Sequence, residues 1–102
     1  MIMELVEFDR PNGFTDADLL DDARGTVDHW RANPDLIRKH FITDGPTVMG
    51  VYVWPSRAAA EVAHDAAWVA RFRERTGVEP RIRYFDMFMV IDNVAGEVTE
   101  YA

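Results

Sequence analysis

The order of segments along the chain, β-α-β-β-α-β, predicts an α+β domain with the split βαβ, ferredoxin-like arrangement. Three observations carry the prediction. "IMELVEF", "DLIRKHFIT", "TVMGVYVW" and "PRIRYFDMFMVID" are strand-like runs rich in branched and aromatic residues. Two stretches of helical periodicity fall after the first and third runs. "DGP", between the second and third runs, is the chemistry of a tight hairpin turn. Right-handed crossovers then put both helices on one face of an antiparallel sheet and leave the other face bare. A bare face of that size needs a cover. A second copy of the chain supplies it, so the expected assembly is a homodimeric α+β barrel with a cavity between the sheets.

Each element has a local cause. Residues 2–8 alternate as a strand, and "DRPNG" (9–13) turns the chain. Thr15 is an N-cap with Asp18 at capping-box spacing, and Phe14 and Leu19 are placed as a hydrophobic staple. Leu20, Ala23, Val27 and Trp30 continue the helical stripe until Asn33-Pro34 stops it. The hairpin folds about Gly45-Pro46, so paired positions sum to 91: Lys39 faces Tyr52 and Phe41 faces Gly50. Ser56 caps a helix over 57–75, with Gly77 as its C-terminal stop. That helix presents Ala59, Val62, Ala63, Ala66, Val69 and Ala70 as its sheet-facing side, leaving Trp68 and Phe72 on the flank for the tail or a partner. A long strand over 80–92 completes the core, and residues 93–102 form a tail.

Composition narrows the function. One domain, 1–102 with its core in about 2–92, suits 102 residues. The formal net charge of −7 argues against nucleic acid as a partner. No run approaches ~20 apolar residues, so no membrane association is expected. The acidic, alternating start lacks a signal-peptide pattern, which makes a cytoplasmic location the expectation. There is no cysteine, the three histidines have no metal-ligand spacing, and no glycine-rich phosphate loop is present. No metal and no cofactor are therefore expected.

Period-2 geometry puts Ile37, Lys39, Phe41, Gly50, Tyr52 and Trp54 on one sheet face and Arg38, His40, Ile42, Met49, Val51 and Val53 on the other. The second set is expected under the helices. The first, with aromatics around the only lysine of the chain, is the expected cavity wall.

"DLIRKHFITDGPTVMGVYVWPSRAAAEV" together with "GVEPRIRYFDM" resembles the small monooxygenases related to YdhR, in the dimeric α+β barrel superfamily. The resemblance spans most of residues 2–92. It is carried by Lys39, by the strand Gly50–Trp54 with a helix immediately after it, and by Phe85-Asp86. It implies a cofactor-independent monooxygenase acting on a small hydrophobic, aromatic or polyketide-like molecule in a pocket between sheet and helices. The superfamily also implies an alternative, a polyketide cyclase or isomerase, and a reading from another class is a non-catalytic small-molecule-binding dimer.

Lys39, Tyr52 and His40 are the candidate catalytic residues: a cationic anchor for an anion, a proton donor, and a base of suitable pKa. Phe41, Trp54, Trp68 and Tyr84 are the candidate substrate-binding residues. His64, between Ala63 and Asp65, reads as solvated, and His29 as a helix-end histidine. Arg38, Arg81 and Arg83 read as exposed charges that gather anions at an entrance.

Overall fold

The computed structural model describes residues 1–101. Strand β1 (Ile2–Asp9) runs through the middle of a four-stranded antiparallel sheet. The strand order is β2 (Arg38–Thr43), β3 (Thr47–Trp54), β1, β4 (Arg81–Asp86). The expected hairpin register is present, with Lys39 opposite Tyr52 and Phe41 opposite Gly50. The first helical stretch opens at α1 (Asp16–Gly25) with the Thr15–Asp18 capping box formed in both directions. Ser56 caps α3 (Arg57–Ala63), and Gly77 closes α4 (Ala66–Thr76) in the left-handed conformation, at φ 76°.

The structure differs from expectation at four places. The first helix breaks at Thr26, whose hydroxyl bonds back to the Ala23 carbonyl, and restarts as α2 (Val27–Arg31). The second breaks at His64, because Asp65 caps α4 through the Trp68 amide. The long final strand stops at Asp86. There Met87 bonds to the Met1 carbonyl, and β5 (Met89–Asp92) pairs instead with β6 (Glu97–Glu100), so the tail is half of a hairpin.

The fourth difference decides where the site lies. The helices cover the face of Lys39, Tyr52 and Trp54, and the face of Arg38, His40 and Val51 is bare, the reverse of the expected assignment. The helical side facing the sheet also differs. Ala60, His64, Trp68 and Phe72 turn inward, four residues apart, while Val62 is 75% exposed. The physical reason is area: buried aromatics contribute about 1.5–3 kcal/mol each, far more than an alanine methyl. Large rings on both layers therefore meet, and Ile2, Val6, Trp30, Tyr52, Trp54 and Ala60 form the core. No helix among the described residues is long and apolar enough to cross a membrane.

Candidate active site

Helix α1 buries none of its residues. Its underside, Leu19, Leu20 and Ala23, roofs a cavity of about 430 Å³ between the helices and the sheet. That volume lies within the usual ~300–1,000 Å³ of small-molecule pockets. Strand β3 shapes the floor. Gly50 has no side chain, and the Tyr52 ring folds over it, with Cε1 2.8 Å from where a Cβ would stand.

Lys39 projects into this cavity from the edge strand. Its Nζ sits 3.9 Å from the Phe41 ring centroid and 4.6 Å from those of Trp30 and Tyr52. Each ring has a clear origin. Phe41 is two residues along the same strand face, Tyr52 is the cross-strand partner, and Trp30 descends from α2. The two carboxylates that act on Lys39 are paired elsewhere, Asp22 with Arg75 and Glu4 with His64. Burial lowers the Lys39 pKa from 10.5 to about 7, opposed by Asp22, assisted by Arg75 and opposed by Glu4. The ring faces favour the ammonium form, so protonated and neutral amine are both accessible near neutral pH. Burial, then the Glu4 charge, raises the Tyr52 hydroxyl well above its ordinary value, which keeps it a proton donor.

Behind that wall lies a polar pair absent from the sequence-based candidates. Glu4 and His64 are both buried, with Glu4 Oε1 2.8 Å from His64 Nδ1. Trp54 Nε1 donates to the same carboxylate oxygen at 2.9 Å. The Glu4–His64 approach is an ion-pair distance without hydrogen-bond alignment: Glu4 Oε2 and both His64 nitrogens lack hydrogen-bond partners. Trp30, Tyr52 and Trp68 surround the imidazole, their ring centroids 4.5–5.2 Å away. His64 is thus buried rather than solvated. Asp65 was the available signal: an aspartate three residues before Trp68 is an N-cap, and a helix start there turns the preceding residue out of the helical path.

Of the candidates named from sequence, Lys39, Phe41, Tyr52 and Trp68 come together around the cavity. Trp54 is fully buried beneath them and holds Glu4. Tyr84 stands across from Glu4 on β4 with the Arg57 guanidinium 4.5 Å over its ring, outside the cavity. His40 is exposed on the opposite sheet face, outside the cavity wall. On that same bare face Arg81 bonds to Glu7 at 2.9 Å and Asp9 at 3.2 Å.

This layering, helices over one face of an antiparallel sheet and a cavity between, defines an α+β fold of a known kind. The structure is similar to a monooxygenase from ActVA-Orf6 of Streptomyces coelicolor, in complex with nanaomycin D. The TM-score is 0.66 at 23% identity over 88% of this chain and 89% of that one. It is also similar to SnoaB, a cofactor-independent oxygenase from Streptomyces nogalater, with TM-score 0.63, 12% identity, and coverage of 84% and 91%. A third similar structure is an antibiotic biosynthesis monooxygenase, with TM-score 0.61, 15% identity, and coverage of 83% and 97%. At these identities the likeness establishes a shared fold. No protein-family profile and no curated protein sequence matches the chain.

Proposed function

We propose that the chain is a cofactor-independent monooxygenase whose substrate is a small aromatic, polyketide-like anion held in the cavity against Lys39. One observation carries this reading: an amine without a carboxylate partner among the described residues, walled by three rings, facing an apolar cavity. A planar phenolate or enolate fits both features, its ring against the aromatics and its oxygen on the ammonium. The anion is also the reductant. An anthrone-type ring carbon passes its electrons to O₂, forms a C–O bond and loses water, so CH₂ and O₂ become C=O and H₂O. The protein stabilises the anion and excludes bulk water. The names of the similar structures, a monooxygenase holding nanaomycin D and a cofactor-independent oxygenase, support the reading.

The proposal includes a homodimer in the cytoplasm, formed through the bare sheet face. There Ile42 and Phe85 are about half exposed. The resemblance at Lys39, Gly50–Trp54 and Phe85-Asp86 supports a kinship with the YdhR-like proteins as part of the same reading.

The test is oxygen uptake with an anthrone-type substrate. One O₂ consumed per quinone formed, falling at least tenfold in Lys39→Met, is the expected result. Tight anthrone binding with no oxygen consumed overturns the oxygenase reading. It would leave the cyclase or isomerase, or a binding dimer, in its place.

A further inference from the structure

We propose that Lys39 is also an imine-forming amine, whose uncharged Nζ condenses with the carbonyl of an aromatic aldehyde or ketone seated in the cavity. This goes beyond the oxygenase reading, with which it shares the cavity and Lys39.

The geometry is that of an amine held for attack. Nζ lies against three rings, 3.9–4.6 Å from their centroids, in the wall of the cavity. The charged and titratable groups around it come from every neighbouring element: Asp22 on α1, His29 on α2, Glu4 on β1, Tyr52 on β3, and Arg71 and Arg75 on α4. Asp22 sits against Arg75 and Glu4 against His64, and among the described residues no carboxylate forms an ion pair with the amine. A lysine desolvated in an apolar pocket beside cationic groups is the usual setting for carbonyl condensation. Lowering its pKa from 10.5 to about 7 raises the neutral fraction at pH 7 roughly a thousandfold over an ordinary lysine.

The step balances without a co-reactant. The Nζ lone pair adds to the carbonyl carbon and the carbonyl π pair moves to oxygen. The two amine protons leave with that oxygen as water, and a C=N bond remains. Tyr52, which keeps its hydroxyl proton and whose ring lies against Nζ, stands on the same wall to relay one of those two protons, giving its own to the departing oxygen and taking one back from the nitrogen. An aldehyde on an aromatic ring suits the site, because its ring packs on the apolar lining of the cavity beside Phe41 and Tyr52.

Lys39 is the only lysine in the sequence, and the Met1 α-amine serves as the internal reference amine. The unmodified full-length protein is incubated with salicylaldehyde and sodium cyanoborohydride near pH 7, and the adduct is located by peptide mass mapping. The expected product is a single 2-hydroxybenzyl group on Lys39, formed about a hundredfold faster than on Nα-acetyl-lysine amide, with 2-naphthol protecting the site. Lys39→Arg should lose that adduct while Met1 labelling is unchanged. Labelling confined to Met1, or Lys39 reacting no faster than the lysine amide, overturns the proposal. Oxygen uptake is not part of this readout, so either reading can fail alone.

Discussion

Tyr52 lies over Gly50, two residues back on the same strand face, and its Oη is 3.1 Å from where a Cβ at residue 50 would stand. Tyr52 is only 2% exposed, with Trp30 and His64 packed edge-on against its ring. Gly50→Ala should therefore overpack the floor of the cavity and cost about 1–3 kcal/mol in urea denaturation. It should also loosen the cage, since Tyr52 is one of the three rings around Lys39. An alanine variant of full stability would show that the ring is not seated on this residue.

Lys39→Met keeps the apolar stem and removes the charge. It should weaken binding of 1-naphtholate, measured by calorimetry, by about 1.5–3 kcal/mol, the scale of a charged hydrogen bond. Arg38→Met and His40→Gln lie on the opposite sheet face and should change it little. Normal binding by Lys39→Met would remove Lys39 from the site.

Stability should depend on pH through the same group. The Lys39 pKa is 10.5 when unfolded and about 7 when folded. Between those values the unfolded chain holds a proton that the folded chain has released, so raising the pH favours folding. Below about 7 both states are protonated and the burial penalty is constant. Denaturation series from about pH 6 to 10 should show stability rising at up to ~1.4 kcal/mol per pH unit. Lys39→Met should flatten that rise and be the more stable protein at pH 7. A wild-type profile that coincides with the variant's would mean an ordinary, solvated lysine.

Glu4→Ala strands His64 and leaves Trp54 Nε1 without its acceptor. The expected loss is about 1–3 kcal/mol, the cost of leaving a buried donor unsatisfied. Replacing Glu4 and His64 together by leucines should cost less than the two single changes added. A double-mutant cycle by chemical denaturation measures the coupling. Additive losses would show that the two side chains do not interact.

Sedimentation at low micromolar concentration should give twice the 11.7 kDa chain mass. Phe85→Asp, on the bare face, should give monomer. A wild-type monomer would remove the barrel.

Local signals were legible in the sequence. The capping box at Thr15, the Ser56 cap, the Gly77 stop and the Lys39–Tyr52 register all follow from short-range chemistry and occur as expected. The side of the sheet that the helices cover was not. Alternation defines two faces but does not say which is inside when one carries aromatics around a lysine and the other aliphatics. Lysine near aromatics suggested an open wall, whereas the aromatics are the core and Lys39 reaches the hollow under α1. His64 was missed for a related reason, since its burial depends on Glu4, a residue from the other layer.

During synthesis β1 emerges before both of its neighbours. Trp54 and His64, and then β4 on its far side, all lie downstream. Until Arg81–Asp86 leaves the ribosome, the central strand has one open hydrogen-bonding edge, a template for pairing with another chain. Nascent chains that stop before β4 are therefore expected to aggregate or to recruit chaperones, because the middle of the sheet is the last part to be closed.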